Sequence, residues 1–394
     1  MKIPIIAFAP HPWDESQWMN RQHLLSRLGR RGWHIVYTNG PLNLWNRYGD
    51  SWKKAPFLYG SKIQDHVSLI NAGKILPRWP TSPTIDKLAI KYYTNQIKKA
   101  AAISNHNDFV CLCFHPMFWP YIKAMNPQVI AFHAYDNYTK QGEWRDEQQH
   151  NLEELVQKAN LITASSKGIA SSLQGNRSQE IKILENGVDF QLFSTKKALT
   201  CPTDMKLIPY PRIIYTGAIN RKVDIPLISK IAKLHKNWNW VLVGRFEKNE
   251  LLNDNYQSTS VKQLLTLPNV YILGEKERTE IPNYLLNSDV TTMCYRSIGD
   301  GWWNDISPLK MHEYLAVGKP VISAPLETIL PYSNVIDIAR TTDEWISAIQ
   351  RALKIGGVSS PEKRREVALS NTWEQRVDLL EQWLLESISS TIKK

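Results

Sequence analysis

The segment GWWNDISPLKMHEYLAVGKPVIS, residues 301–323, predicts a helix that runs directly into a buried strand. Ser307 stands before Pro308; serine is a favoured N-cap residue, and proline suits the first helical position. Gly318 is a suitable end for this helix. The apolar run KPVISA then follows without a long loop. This change from a helical to an extended pattern is typical of a β-α-β unit, and the rest of the chain repeats it.

Strand and helix patterns alternate on both sides of this segment. The predicted strands are apolar along nearly their whole length, and helical patterns lie between them. They are IPIIAFAP, HIVYTN, FVCLCF and PQVIAFHAYD in the N-terminal half, and PRIIYTGAI, WNWVLVGRF, NVYILGE, DVTTMCYR and KPVISA in the C-terminal half. Strands of this kind form parallel sheets covered by helices on both faces. We therefore predict an α/β fold with two Rossmann-like, doubly wound parallel-sheet domains that face each other across a cleft.

The length of 394 residues also indicates two domains, because a single core rarely grows this large. We predict an N-terminal domain over residues 1–195 and a C-terminal domain over 205–370, joined by a proline-containing linker with weak periodicity. Residues 371–394 are amphipathic and predict a helix that can pack back on the N-terminal domain. Residues 41–86 are rich in Trp, Pro, Gly and Lys without a clear period, so we predict an irregular excursion there.

The composition is that of an ordinary globular protein. Hydrophobic residues make up 43% of the chain and charged residues 22%, which excludes intrinsic disorder. No stretch reaches the roughly 20 apolar residues that a membrane-spanning helix needs. The start, MKIPIIAFAPHPWDE, reads as a first strand rather than a signal peptide. The four scattered cysteines indicate neither a disulfide framework nor a zinc site and fit a reducing cytoplasm.

Positive charge is concentrated in the N-terminal half. The net charge is +11; residues 1–200 contain 24 Lys and Arg against 15 Asp and Glu, and residues 201–394 contain 24 against 22. A basic half suits an anionic partner such as a nucleic acid, an anionic membrane surface or an anionic substrate. The alternative is that the charge serves solubility alone. With an anionic membrane as partner, we expect peripheral association at the inner face of the plasma membrane.

The opening segment also groups residues that suit one ligand. Lys310 lies in the first turn of the predicted helix, and Glu313 lies one turn later on the same side. Free N–H groups and a partial positive charge make a helix start a site for anions, and Lys310 adds a full charge. Glu313 can accept two neighbouring hydroxyls, as a ribose presents them, and Asp305 lies eight residues earlier. The alternative is an ordinary capped helix with a solvated lysine and glutamate.

The motif DISPLKMHEYLAVGKPVIS resembles the nucleotide-sugar signature of retaining glycosyltransferases of the GT-B fold, in the large family 4 group. These enzymes have two acids eight positions apart, followed by a Gly-Lys-Pro-Val strand. The segments KILENGVDFQLF, IIYTGAINRKVD, WVLVGRF and LPNVYILGEKERTEIPNYLLNSDV extend the resemblance over residues 130–350. The overall pattern is most similar to the sugar-polymer biosynthesis subgroup. It implies transfer of a hexose from a nucleotide-diphosphate sugar to a glycan or lipid-linked acceptor in cell-surface polysaccharide synthesis.

The resemblance assigns roles to residues of the C-terminal half. Glu313 is similar to the ribose acceptor, and Asp305 to the acid near the sugar hydroxyls, where relatives more often have glutamate. Lys310 resembles a catalytic contact to the diphosphate, together with the N–H groups that follow Ser307. Further donor-binding candidates are Gly217, Arg221, Lys222, Gly244, Arg245, Ser307, Pro308 and Leu309. Arg245 is a rival to the basic pair Arg221 and Lys222, and the alternative for Arg245 is an ordinary solvated loop arginine.

In the N-terminal half, the resemblance implies a histidine near the reacting sugar. His133 lies at a predicted strand end in this position, and the alternative is a structural histidine. Asp136 is a candidate to orient it or to bind the acceptor. Asp14 and Gln17 follow the first strand, where relatives bring a loop near the acceptor. Trp302 and Trp303 receive no role from the family, and we expect both to shape the wall of the sugar pocket.

The chemistry that the resemblance implies requires no cofactor. Basic residues and a helix start can stabilise a departing diphosphate without a metal, and no Asp-x-Asp motif stands beside a strand end. Two rival functions remain open. A sugar-nucleotide epimerase of the same fold would act without an acceptor. A basic nucleic-acid-binding protein would need a basic stripe with interleaved aromatics, which the tryptophan positions do not favour; we expect no nucleic acid.

Overall fold

The protein forms two compact units. A computed structural model describes residues 2–14, 18–103, 107–140, 142, 144–175, 177–194, 200–296 and 301–392. Unit 1 consists of residues 1–185 and 376–394, and unit 2 of residues 186–375. Each unit contains a largely parallel sheet covered by helices. The predicted α/β fold class with two doubly wound parallel-sheet domains is therefore confirmed.

In the part that the structure describes, unit 1 is built from eight strands and the helices between them. Its elements in chain order are β1 (Ile5–Phe8), α1 (Asn20–Arg30), β2 (Ile35–Thr38), α2 (Asp50–Lys54), β3 (Gly60–Gln64), β4 (Val67–Asn71), α3 (Pro83–Ala100), β5 (Val110–Cys113), α4 (Trp119–Met125), β6 (Val129–Ala134), α5 (Asp146–Lys158), β7 (Leu161–Ala164), α6 (Lys167–Gln174) and β8 (Lys182–Ile183). The sheet order is β3-β4-β2-β1-β5-β6-β7-β8. β1 pairs in parallel with β2 and β5, and all three are fully buried; their residues are apolar except for Tyr37 and Thr38, whose hydroxyls are hydrogen-bonded.

The predicted irregular excursion at 41–86 is partly wrong, because it contains a β-hairpin. β3 pairs antiparallel with β4, which joins β2 in parallel, so the hairpin forms one edge of the sheet. Asp65 and His66 form its two-residue loop, and both have positive φ, as a type I′ turn requires. The usual Asn-Gly signal for this turn is absent, and β3 is polar and exposed. The sequence therefore shows neither the turn signal nor the apolar strand pattern by which a hairpin is usually predicted.

The described residues of unit 2 form six strands, all parallel. Its elements are α7 (Phe190–Phe193), β9 (Arg212–Thr216), α8 (Ile225–Leu234), β10 (Asn239–Val243), α9 (Lys248–Leu252), α10 (Ser258–Leu264), β11 (Val270–Gly274), α11 (Ile281–Leu286), β12 (Val290–Met293), α12 (Leu309–Val317), β13 (Val321–Ser323), β14 (Asp337–Ile338), α13 (Thr342–Ile355) and α14 (Pro361–Leu369). The strand order is β11-β10-β9-β12-β13-β14. The order therefore reverses between β9 and β12, and a ligand is expected at the carboxyl ends of the strands beside such a switch point.

The predicted domain boundaries differ from those of the structure. Phe193, Met205 and Ile208, on either side of the predicted linker, are buried together in the core of unit 2, and the unit begins at Asn186 rather than at 205. At its other end, Val188 pairs with Thr372, which keeps unit 2 together as far as Gln375. Apolar side chains in the segment, rather than its prolines, decide where it packs, and the predicted limits at 195 and 370 are corrected accordingly.

The C-terminal helix α15 (Trp373–Ile392) begins in unit 2 and belongs to unit 1 from Arg376 onward. Its Glu381 accepts hydrogen bonds from Arg31 at 3.0 Å and from the indole of Trp33 at 2.8 Å, and it pairs with Lys2 at 2.9 Å. Burial opposes its ionisation, but these three partners together hold the pKa of Glu381 far down, at about 2. Among the described residues, no helix has the length and apolarity to cross a membrane.

Candidate functional site

Two glycines at the switch point bring the backbone of unit 2 close to the helix α12. Gly217 follows β9 with φ +105°, and Gly244 follows β10 with φ +144°. A Cβ atom on Gly244 would lie 2.1 Å from the carbonyl oxygen of Gly217, and a Cβ atom on Gly217 would lie 3.0 Å from the Nζ atom of Lys310. A side chain at either position would therefore collide with its neighbour or sit in a strained conformation. The two predicted glycines are needed for the close approach of these loops.

Lys310 is a buried basic side chain beside these glycines. Only 8% of its surface is exposed, and its Nζ atom has no hydrogen-bond partner within the described ranges. The Nζ atom lies 3.6 Å from the ring centroid of Tyr215 and 5.5 Å from that of Tyr295, so cation–π attraction provides part of its stabilisation. Burial and the nearby charge of Lys222 lower the pKa of Lys310 well below its usual value. Such a group is poised to meet an anionic ligand.

The helix α12 begins one residue later than predicted. Its N-cap is Pro308 and its first helical residue is Leu309; Ser307 does not cap it. The carbonyl oxygen of Ser307 instead accepts a hydrogen bond of 2.6 Å from the amide of Asn186, and this contact fixes the turn before the helix. The N–H of Met311 donates to the carbonyl oxygen of Pro308 at 3.2 Å, whereas the N–H groups of Leu309 and Lys310 come too early to find an acceptor inside the helix. The helix start therefore still offers N–H groups beside the lysine.

Glu313 lies one turn after Lys310 and is half-buried. Burial raises the pKa of its carboxyl group to about 7, although the charges of Arg278 and Lys310 act in the opposite direction. Arg278 is held by Asp189, whose Oδ2 atom lies 3.2 Å from the Nη1 atom of the guanidinium. The positive charges of Arg278 and Lys310 do not fully offset the cost of burying this carboxylate. The carboxylate would therefore be stabilised by further hydrogen-bond donors. Paired hydroxyl groups are suitable ligands for it.

The three predicted basic residues lie in different environments. The charge of Lys222 acts directly on Lys310, and its Nζ atom lies 5.7 Å from the ring centroid of Trp302. Arg221 is exposed and donates a hydrogen bond of 2.8 Å to Glu250. Arg245 is exposed as well and forms an ion pair with Glu247. The structure thus brings Lys222 into the neighbourhood of Lys310, while the two arginines are engaged by acids on the surface.

Asp305 and the two tryptophans precede α12 in a 3₁₀ turn. Trp302–Asn304 form this turn, and Asp305 ends it, half-buried. Trp303 is 8% exposed, and its indole donates a hydrogen bond of 3.1 Å to the carbonyl oxygen of Arg296. Trp302 is half-buried and packs edge-on against Trp303. Trp302 therefore contacts both Lys222 and Trp303. These contacts place Lys222 beside the turn that ends at Asp305.

The candidate residues of unit 1 that the structure describes lie in different environments. His133 is 1% exposed; its Nδ1 atom lies 2.8 Å from the hydroxyl of Thr163, and its Nε2 atom lies 3.4 Å from the amide nitrogen of Asn20. Burial lowers the pKa of His133 to about 3, so the ring is neutral. Asp136 is half-buried and accepts a hydrogen bond from the backbone N–H of Asn137. Asp14 is exposed and pairs with Lys62 at 2.7 Å. Gln17 lies outside the described residues.

Sequence reasoning missed four residues that shape the site. Arg278 and Asp189 are 89 positions apart, and no linear pattern reveals that they meet near Glu313. Asn186 belongs to the quoted segment KILENGVDFQLF, yet its contact with Ser307 depends on the fold. Tyr215 was visible only as a strand residue. Across the described ranges, His, Cys, Asp and Glu form no group of three or more that could hold a metal ion.

Comparison with known proteins matches unit 2 to a family. Residues 208–356 match the family model of glycosyl transferases group 1, which confirms the resemblance inferred from the residue motifs. The chain is also 29% identical over 230 residues to TuaH of Bacillus subtilis (strain 168), whose name proposes a glycosyltransferase of teichuronic acid biosynthesis. That match covers 56% of this chain and 55% of TuaH, so the chain spans about half the length of this curated relative.

Solved structures similar to the whole chain have the GT-B fold. Anabaena Alr3699/HepE, crystallised with UDP and glucose, superposes with a TM-score of 0.68 at 15% identity, over 98% of this chain and 100% of that chain. The trehalose-6-phosphate synthase OtsA superposes with a TM-score of 0.66 at 12% identity, over 96% and 98%. At these identities the likeness shows the fold alone, and that fold is GT-B.

Proposed function

We propose that this chain, which has the GT-B fold and whose residues 208–356 match glycosyl transferases group 1, is a retaining glycosyltransferase. It moves a hexose from a nucleotide-diphosphate sugar to a glycan or lipid-linked acceptor in cell-surface polysaccharide synthesis. The name of TuaH supports the polysaccharide, and the UDP complexes of HepE support the nucleotide sugar. The observation that carries the proposal is the buried Lys310 without a hydrogen-bond partner in the described part of the chain, one turn before Glu313.

In this proposal, catalysis comes from stabilising the leaving diphosphate. Lys310, Lys222 and the N–H groups at the start of α12 place positive charge where the diphosphate gains negative charge as the sugar bond breaks. Glu313 accepts the ribose hydroxyls, and Asp305 accepts hydroxyls of the sugar. Because these cations can offset the diphosphate charge, we propose that no metal is required. Turnover that disappears in a chelator and returns with a divalent cation would contradict this part.

The residues of unit 1 are assigned to the acceptor, as the resemblance implies. Asp14, Gln17 and Asp136 are the proposed acceptor contacts. His133 keeps its proposed catalytic role near the sugar, and with a pKa of about 3 it acts as a neutral hydrogen-bonding group rather than as a cation. The basic N-terminal half favours an acceptor presented at an anionic membrane surface. The comparisons favour a transferase over the epimerase alternative.

Nucleoside diphosphates and their sugars are expected to raise the unfolding temperature of the protein. A ligand at about 100 times its Kd stabilises the folded state by about 2.7 kcal/mol, because it binds the native state alone. For a unit of this size the shift is about 5–10 °C. UDP, GDP and their glucose conjugates are compared with uridine, which has the base and ribose but no phosphate. If no diphosphate shifts the transition, or uridine shifts it equally, the diphosphate site is refuted.

Lys222→Ala and Arg221→Ala are expected to have very different effects on nucleotide binding. Lys222 acts on the same region as Lys310, so its loss lowers the affinity for a nucleoside diphosphate about tenfold or more. Arg221 is exposed and paired with Glu250, so its loss changes the affinity less than about twofold. Isothermal titration of UDP into both variants measures the difference. A larger loss of UDP affinity in Arg221→Ala than in Lys222→Ala would assign the diphosphate contact to Arg221 and not to Lys222.

A further inference from the structure

An unusually apolar surface covers one part of unit 1. Among the described residues, 22 large hydrophobic side chains are exposed, and ten of them lie between positions 45 and 88. This set, here called the aromatic face, consists of Trp45, Tyr48, Phe57, Leu58, Tyr59, Ile63, Leu76, Trp79, Ile85 and Leu88. Tyr48 is 75%, Phe57 72% and Ile63 81% exposed, which is far from the partial burial of a core edge. A concentration of this kind marks an interaction site on most proteins.

The apolar residues on α3 lie beside those of the preceding loops. Ile85 and Leu88 lie on the solvent side of α3, and Tyr92 continues this stripe one turn later, at the spacing of a single helix face. Tyr92 also lines a small crevice together with Phe57, Tyr59 and Leu76. The exposed side of α3 therefore adjoins the loops that contain Phe57, Tyr59 and Leu76.

The tryptophans of the face are held by backbone contacts at the start of α3. The N–H of Leu44 donates to the carbonyl oxygen of Arg78, next to Trp79, and the N–H of Arg78 donates to Leu42. The guanidinium of Arg78 forms a salt bridge with Asp86 in the first turn of α3. Trp45 and Trp79 are thus fixed near one end of the stripe rather than placed on independent loops. Ordering in advance lowers the entropic cost of docking.

The same segment is strongly basic. Residues 41–92 contain eight Lys or Arg and only three Asp or Glu, and one of those acids, Asp86, is neutralised by Arg78. Lys53 and Lys54 are exposed at the end of α2, and Lys87 and Lys91 are exposed on α3 among the apolar side chains. Tryptophan and tyrosine mixed with lysine and arginine are typical of surfaces that lie in the headgroup layer of an anionic bilayer.

We propose that the aromatic face is a docking surface for anionic phospholipid membranes. The inference deepens the proposed function, since it names where the protein would meet the membrane that presents its acceptor. Trp45, Phe57 and Leu88 enter the boundary between headgroups and acyl chains, and the surrounding lysines contact phosphate groups. The density of basic residues favours a lipid surface over an apolar protein partner, because interfaces between proteins are depleted of lysine.

Sedimentation with vesicles tests this surface in the full chain. The protein is expected to pellet with vesicles that contain about one third phosphatidylglycerol and to bind vesicles of pure phosphatidylcholine at least about tenfold more weakly, because each basic residue near an anionic surface contributes about fivefold. High salt is expected to weaken the binding. Amide exchange in residues 41–92 should slow when anionic vesicles are added. Equal binding to both vesicle types, or none to either, would overturn the proposal.

Two pairs of variants locate the contact. Lys53→Glu with Lys54→Glu is expected to weaken binding to anionic vesicles at least about tenfold. Its control, Lys230→Glu with Lys233→Glu, changes the charge equally on exposed lysines of α8 in unit 2 and should bind like the parent protein. Phe57→Ser with Leu88→Ser should also weaken binding, whereas Leu207→Ser with Ile355→Ser, exposed in unit 2, should not. A loss shared by a control pair would overturn the location.

The vesicle test and the nucleotide test can fail separately. Vesicle binding that is absent while UDP still raises the unfolding temperature would overturn the membrane surface and leave the transferase proposal intact. Vesicle binding without any response to nucleotides would overturn the transferase proposal and leave the membrane surface intact. A protein captured by the aromatic face in place of lipid would also overturn the proposal, and it would show as binding that persists at high salt and is lost in Phe57→Ser with Leu88→Ser alone.

Discussion

Lys310→Met is expected to make the protein more stable and nearly inactive. The methionine keeps most of the volume of the side chain and removes a buried charge that has no hydrogen-bond partner in the described part of the chain. Such a group costs about 1–2 kcal/mol after its cation–π contacts with Tyr215 and Tyr295 are counted. The same charge is proposed to stabilise the leaving diphosphate, and its loss is expected to lower kcat/KM by about 10²–10³-fold.

Thermal unfolding and nucleotide-sugar turnover measure the two effects in the same preparation. Because the folded state lowers the pKa of Lys310, the cost of burying its charge is present at neutral pH and shrinks as the pH rises toward 10.5. The stability difference between the variant and the parent should therefore narrow in alkaline buffer. Lys319→Met is the control, since Lys319 is also partly buried with a lowered pKa but lies before β13, away from the switch point. Equal activity losses in both variants would refute the role of Lys310.

Glu313→Gln is expected to lower kcat/KM for the nucleotide sugar about 10²-fold. A carboxylate that accepts two hydroxyls makes charge-assisted hydrogen bonds worth about 1.5–3 kcal/mol each, and glutamine retains only part of this. The pKa of about 7 adds a second signature. As the pH falls from 8 to 6, the parent carboxyl becomes protonated and KM for the sugar donor should rise toward tenfold, whereas the variant should show no such rise.

The stability of the same variant supplies an internal check. The folded state raises the pKa of Glu313, so its contribution to stability is fully present below pH 4.5 and is lost as the pH rises through 7. Glu313→Gln should therefore be at least as stable as the parent at pH 8, which shows that any inactivity is not unfolding. Glu327→Gln, on an exposed position of unit 2, is the matched control. A parent enzyme whose KM is independent of pH between 6 and 8 would contradict the assignment.

The fold could be predicted because its signals are local. Strands such as IIAF at β1 are apolar throughout, and NWVLV at β10 is apolar after Asn239; their spacing with helical segments permits little besides parallel sheets. The hairpin of β3 and β4 could not be predicted in this way. Its edge strand faces solvent, and its turn is closed by Asp65 and His66, which adopt positive φ more readily than most residues but lack the Asn-Gly pattern that marks such a turn in a sequence. An exposed strand does not require apolar residues, so a search for apolar patterns does not detect β3.

The candidate site was predicted in part, and its errors have tertiary causes. The position of Lys310 and Glu313 one turn apart follows from helical geometry, and the helix forms. Ser307 was expected to cap that helix, but Asn186 binds its carbonyl oxygen, and this contact lies 121 positions away in the sequence. Arg221 and Lys222 are neighbours with equal charge, and only the placement of Glu250 separates their roles. Contacts of this kind are absent from a linear pattern.

The C-terminal helix has a consequence for synthesis on the ribosome. Unit 2 is a single continuous segment, while unit 1 is closed by residues from Arg376 onward, among them Glu381 with its contacts to Lys2, Arg31 and Trp33. The half that is translated first therefore finishes folding after the half that is translated second. Until then Lys2, Arg31 and Trp33 lack their contacts with Glu381, and nascent chains halted before Arg376 are expected to be the species that chaperones hold longest.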